Sequence, residues 1–280
     1  MTHHALVSPQ QLALHLKEYV VVDCRHSLQD PDAGTRLYKE GHIPGAIFMH
    51  LDRDLSGPMT GTNGRHPLPT PEALAATLGA AGIDRDSTVV AYDDMGGPFA
   101  ARLWWLLRWM GHDDAAILDG GLPAWQATGG TLEAGINSPG AKPALEWGLT
   151  PNVTVDVQFV LAHLNNPTVR LVDARAPDRF RGENETIDPV GGHIPGAINR
   201  FFKDNLGPDG YFKPSQQLRQ EFESLLQGLK PSALVSHCGS GVTACHNLLA
   251  LELAGLPGAR LYAGSWSEWC SNPERPVAQG

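Results

Sequence analysis

Ala233-Leu234-Val235-Ser236-His237-Cys238-Gly239-Ser240-Gly241-Val242-Thr243-Ala244 decides how this chain reads. The apolar run at its start has the length and composition of a buried strand, and it ends on a cysteine. Glycines at 239 and 241 make a tight turn, and 245–253 then reads as a helix. Strand, glycine turn and helix in that order bring several backbone N–H groups to one point, at the positive end of a helix dipole. A thiolate or an attached anionic group is stabilised there. Cys238 is therefore a candidate nucleophile, and Gly239, Ser240, Gly241, Val242, Thr243 and Ala244 are its cradle. The layout alone leaves a second reading equally open: a structural cysteine before an ordinary glycine turn, which α/β proteins use often.

Working outward, the chain repeats itself. Gly41-His42-Ile43-Pro44-Gly45-Ala46 returns unchanged as Gly192-His193-Ile194-Pro195-Gly196-Ala197. Each copy follows a strand ending in Asp-x-Arg, at Asp23-Cys24-Arg25 and Asp173-Ala174-Arg175. Gly120-Gly121-Leu122-Pro123-Ala124-Trp125 is echoed by Ala263-Gly264-Ser265-Trp266-Ser267-Glu268-Trp269. The near-constant offset implies two homologous domains in tandem, 1–135 and 153–280, with a proline- and glycine-rich linker at 136–152. Strands are expected at 19–23, 88–92, 115–118, 171–173 and 234–237, and helices at 71–81, 100–110, 155–164, 215–227 and 245–253. That alternation predicts an α/β fold, each domain a parallel sheet with helices on both faces and its site beyond the carboxyl ends of the strands. The motifs at 41–46 and 192–197 read as structural turns, and Trp266 and Trp269 as packing residues.

Composition narrows the class. The 280 residues are 42% hydrophobic and 18% charged, which describes a globular protein. A net charge of −9 argues against nucleic acid as a partner, so a small anion must be held by local arginines and backbone amides. No stretch has the length of a membrane span and no signal peptide is evident. The four cysteines (Cys24, Cys238, Cys245, Cys270) lack metal-site or disulfide spacing, which fits a reducing cytoplasm with no metal and no cofactor. His3 and His4 read as part of a solvated start.

The repeated motif, the Asp-x-Arg strand ends and His237-Cys238-Gly239-Ser240-Gly241-Val242-Thr243-Ala244 resemble the rhodanese superfamily in its two-domain sulfurtransferase form, from about Ser8 to Pro273. The loop is most similar to that of the 3-mercaptopyruvate sulfurtransferases, since thiosulfate sulfurtransferases carry a basic residue within it. The resemblance implies a ping-pong reaction in which Cys238 takes sulfur as a persulfide and pyruvate leaves. A thiol such as thioredoxin or a small dithiol, or cyanide, then accepts the sulfur. It also implies that Ser240 works with His66 and Asp52 in proton transfer, a chemistry suited to a histidine oriented by a carboxylate. Without the resemblance, a histidine in the proline-rich Gly64-Arg65-His66-Pro67 is more often a packing or solvent residue. Arg179 matches the family's substrate-binding arginine, and its fork suits a carboxylate. The family's second arginine, nine residues on, is here Asp188. Arg181 is a possible substitute, though a solvated loop charge is its commoner reading.

Asp93 stands in the first copy where Cys238 stands in the second. A carboxylate carries no transferable sulfur, so that domain is expected to be catalytically inert. A cysteine phosphatase would need arginine six residues after the cysteine, where this chain has Ala244. A thiosulfate sulfurtransferase and a non-catalytic persulfide carrier are the remaining alternatives. Two joined copies already form an internal interface, so a monomer is expected.

Overall fold

Runs of valine at 20–22 and 89–90 set the centre of the first sheet, and Leu-Val pairs at 171–172 and 234–235 that of the second, because both faces of these strands are covered. In the computed structural model, which describes residues 5–144 and 147–280, the first sheet is built from Leu6–Val7 (β1), Tyr19–Asp23 (β2), Ile47–Phe48 (β3), Thr88–Tyr92 (β4) and Ala115–Leu118 (β5). Its order is β1-β5-β4-β2-β3, and every pairing is parallel. The connections carry helices Pro9–His15 (α1), Ala33–Glu40 (α2), Pro71–Ala80 (α3), Pro98–Trp109 (α4) and Gly121–Ala127 (α5). Parallel neighbours require such crossovers. Ser8 caps α1 in a capping box with Gln11, and Thr70 caps α3 ahead of Pro71. Val21, Val90, Tyr92, Ala116, Leu118 and Trp125 share one core.

The second sheet repeats the plan with Thr154–Val155 (β6), Arg170–Asp173 (β7), Ile198–Asn199 (β8), Leu234–His237 (β9) and Arg260–Tyr262 (β10), in the order β6-β10-β9-β7-β8, again all parallel. Its helices are Val157–Ala162 (α6), Pro177–Arg181 (α7), Ser215–Leu226 (α8), Thr243–Leu253 (α9) and Ser265–Trp269 (α10). Trp266 and Trp269 are fully buried with Leu171, Val235 and Tyr262. Among the described residues no helix is long and apolar enough to cross a membrane.

The chain divides into two compact units. The first is the chain up to Gly57 with Leu68–Thr150 and Pro208–Tyr211; the second is Pro58–Pro67, Pro151–Gly207 and Phe212–Gly280. The segment that carries His66 thus clusters with the second sheet. The described part of 136–150 has no helix or strand and is pinned to the first unit. Asn137 N–H donates to the Tyr38 hydroxyl at 3.1 Å, Lys142 N–H to the Gly79 carbonyl at 2.8 Å, and Thr150 N–H to the Trp109 carbonyl at 2.9 Å. His3 and His4 lie outside the described residues.

The repeated motifs are structural. Arg25 and Arg175 each clamp their own strand-end aspartate through Nε and Nη2, and each Nη2 also donates to the first glycine carbonyl of the following motif, Gly41 or Gly192, at 2.7 Å. Within each motif the Ala N–H donates back to the Ile carbonyl (2.9 and 3.0 Å), closing a turn with proline and a positive-φ glycine at its centre.

Five strands lie where the sequence places them, β7 extending one residue further. The two-residue strands β1, β3, β6 and β8 are too short to leave a period-2 signature. Helix α9 starts at Thr243, two residues before the predicted start. The left-handed Gly241 (φ 79°) completes the turn early enough for Thr243 to open the helix.

Candidate active site

Strand β9 is wholly buried, and it delivers Cys238 to the carboxyl edge of its sheet, ahead of α9. The turn is braced from outside. Trp266 N–H donates to the Cys238 carbonyl and Ser267 N–H to the Gly239 carbonyl, both at 2.9 Å. Cys238 N–H donates to Ser265 Oγ at 3.1 Å, and that hydroxyl donates to the Tyr262 carbonyl at 2.9 Å. Fixed at both ends, the loop turns inward on the sulfur: Gly241 N–H donates to Cys238 Sγ at 3.1 Å. The sulfur thus accepts an oriented amide just ahead of the N-terminus of α9. Gly241 cannot be replaced without strain, since a Cβ there would stand 2.3 Å from the Ala263 carbonyl oxygen.

Two residues on, Ser240 Oγ and His66 Nδ1 are hydrogen-bonded at 2.7 Å, and both side chains are buried. The serine hydroxyl therefore has a proton partner beside the sulfur. Loop 58–67 holds His66 by internal bonds, with Asn63 accepting from Thr60 N–H (2.8 Å) and donating to the Pro58 carbonyl (3.1 Å). Arg65 N–H donates to Ser267 Oγ at 3.1 Å, which ties this loop to α10.

Arg179 lies next to the same turn, its Nη2 3.8 Å from where a Cβ on Gly239 would stand. Its fork is turned on Glu185, with Nε donating at 3.0 Å and Nη2 at 2.8 Å, and Nη2 also reaches Asp188 at 3.2 Å. Burial disfavours the Glu185 carboxylate, but the Arg179 hydrogen bonds and the N–H groups of Asp188 and Ile187 outweigh it and hold Glu185 below its ordinary range. Arg181 pairs with exposed Glu183 and does not replace the family's second arginine. Asp188 is buried and accepts from Arg65 as well as Arg179. Burial raises its carboxyl above the usual range against the pull of these arginines.

Asp52 falls in the first unit. Its N–H donates to His50 Nδ1 at 3.1 Å, and a carboxylate oxygen lies 3.9 Å from the same nitrogen. His26, His50 and Asp52 present ligand-type atoms within 4.8 Å of one another. Both His50 nitrogens are already engaged, however, the second against the Pro31 carbonyl at 3.0 Å.

The first unit has the same turn with a different occupant. Asp93 follows β4 as Cys238 follows β9, and its buried carboxylate accepts from four amides: Met95, Gly97 and Phe99 at 2.9 Å and Ala100 at 3.0 Å. The protein's own carboxylate fills the cradle. Of the other thiols, Cys24 is buried and pushed well above its ordinary range, first by burial and then by Asp23. Cys245 is buried, its S–H donating to the Gly241 carbonyl at 3.3 Å, and half-buried Cys270 is raised to about 11, mainly by burial.

Sequence reasoning missed Ser265 and Arg65. Ser265 is a non-glycine at φ 54°, where the first copy has Gly121 at φ 59°. The internal repeat aligns the two and was the available signal. Arg65 adjoins His66, and nothing in the sequence brings it to residue 188.

The comparisons with known proteins agree with this architecture. The rhodanese-like domain model matches residues 8–128 and 156–272. A probable 3-mercaptopyruvate sulfurtransferase of Pseudomonas aeruginosa is 54% identical over 285 residues, covering 100% of both chains. A putative thiosulfate sulfurtransferase of Mycobacterium tuberculosis is 41% identical, over 93% of this chain and 90% of its own. Among solved structures, the 3-mercaptopyruvate sulfurtransferase of Leishmania major superposes with a TM-score of 0.86 at 33% identity, covering 99% of this chain and 76% of its own. The protein is an α/β enzyme of the sulfurtransferase class, built from two tandem rhodanese-like domains. It belongs to the rhodanese family.

Proposed function

We propose that this protein moves sulfur from 3-mercaptopyruvate, through a persulfide on Cys238, to a thiol acceptor or cyanide. In the first half-reaction the Cys238 thiolate attacks the donor's sulfur and an S–S bond forms. The donor's C–S bond breaks, its electron pair passing to carbon as the enolate of pyruvate. The proton released as the persulfide ionises balances the one the enolate takes up to become pyruvate. In the second half-reaction an acceptor thiolate or cyanide attacks the outer sulfur and Cys238 leaves as thiolate.

The observation that carries this reading is the 2.7 Å hydrogen bond between Ser240 and His66, beside a sulfur that already accepts the Gly241 amide. Thiosulfate needs no proton as sulfite departs, whereas the pyruvate enolate does. A serine–histidine pair is therefore useful for the carboxylate donor and superfluous for thiosulfate. The relatives carry both donor names, so thiosulfate is the second reading, and it draws on the arginines near the loop.

The test is a side-by-side assay of 3-mercaptopyruvate and thiosulfate on wild type and Cys238→Ser, with the intact mass recorded after each donor. A gain of one sulfur atom from mercaptopyruvate, absent in Cys238→Ser, is the expected result. Preference for thiosulfate would overturn the donor but keep the nucleophile, and no gain from either would favour a carrier fed by a protein donor.

A further inference from the structure

We propose that Arg65 is a donor-binding residue that grips the carboxylate of the sulfur donor together with Arg179, and that Asp188 positions both. This inference rests on the function proposed above and names a specificity element of the same site.

Three observations in the second unit carry it. First, Arg65 reaches the catalytic turn. Its Nη2 lies 2.9 Å from where a Cβ on Gly239 would stand, so the space directly after the nucleophile is occupied by its guanidinium. Second, the carboxylate that orients it is hidden while the cation is not. The Asp188 side chain is 2% exposed, against 26% for Arg65 and 18% for Arg179. One Asp188 oxygen takes Arg65 Nη1 and the other takes Arg179 Nη2 at 3.2 Å, so a single buried carboxylate bridges the two guanidiniums. Third, donors remain. A guanidinium has five N–H groups, and among the described residues Arg65 Nε and Nη2 and Arg179 Nη1 make no hydrogen bond. The guanidiniums that carry these N–H groups lie against Gly239, the residue after Cys238, and present donors without an acceptor, which is the arrangement a planar carboxylate completes.

Asp188 then has a function despite its sign. The chain lacks a cation at 188 but holds one there, supplied by the loop that also carries His66. Arg65 and His66 are adjacent in sequence, so loop 58–67 delivers the carboxylate grip and the proton partner together.

The experiment compares two donors. The first is 3-mercaptopyruvate; the second is an uncharged alkyl hydropersulfide, whose outer sulfur Cys238 takes as the donor's S–S bond breaks and the alkanethiolate leaves. Loading of Cys238 is followed by rapid quench and intact mass for wild type, Arg65→Gln, Arg65→Lys and Arg65→Gln/Asp188→Asn, the last leaving no buried carboxylate short of a partner. The quantity read is the ratio of kcat/KM for the two donors. It is expected to fall ~10- to 100-fold in Arg65→Gln and in the double variant, mostly through KM, with Arg65→Lys in between. A purely structural Arg65 would move both donors together and leave the ratio within about twofold of wild type, which overturns the proposal. Wild type that loads from the hydropersulfide but not from mercaptopyruvate would instead overturn the proposed function, and this inference with it.

Discussion

Replacing Asp93 with alanine removes the acceptor of four buried amides at once. The bonds run from Met95, Gly97, Phe99 and Ala100 at 2.9–3.0 Å, and the side chain is fully buried. A net contribution of about 1 kcal/mol per bond puts the loss near 4 kcal/mol, large for a single substitution. The pH dependence has a definite sign. Burial holds the Asp93 carboxyl above its ordinary range against the pull of the four amides. The folded protein therefore keeps that proton longer than the unfolded chain. The associated stability is complete below the unfolded carboxyl's pKa and is lost as pH rises through the folded one. The gap between wild type and Asp93→Ala should be widest in acid and narrow with rising pH, by at most ~1.4 kcal/mol per pH unit. Urea unfolding across pH, with hydrogen exchange of the 93–100 segment, measures both. At 4 kcal/mol, exchange of those amides should accelerate about 10³-fold where opening is local. A loss below about 1 kcal/mol would refute the account of Asp93 as the acceptor that fills the cradle, and a gap that widens with pH would refute the dominance of burial over the four amides.

Two further outcomes follow from the second unit. Ser240→Ala and His66→Gln should each lower kcat with 3-mercaptopyruvate by ~10²- to 10³-fold, and the double variant should be little worse than either, because the pair acts as a unit. Single losses that multiply in the double variant would mean that the 2.7 Å bond is not used in turnover. Gly239→Ala places a methyl 2.9 Å from Arg65 Nη2, the flexible end of a long side chain. It should raise KM for mercaptopyruvate severalfold while the urea midpoint changes little, and a large loss of stability with unchanged KM would contradict that placement.

The architecture and the place of the candidate nucleophile were legible in the sequence alone. Periodicity and the exact repeat of 41–46 at 192–197 are local signals, so β2, β4, β5 and β9 and the duplicated plan were legible, while two-residue edge strands such as β3 and β8 were not. Cys238 could be placed because its glycine turn is written in consecutive residues. What lies around the sulfur was decided only by tertiary structure. Ser240 reaches His66 across 174 residues, and Arg65 reaches Asp188 across 123. A charge at 188 that reads as the wrong sign becomes the anchor of a cation from another segment. Sequence spacing carries no record of such meetings, because they follow from how loop 58–67 packs against the second sheet, and the energetics of a buried carboxylate depend on which arginine that packing brings to it.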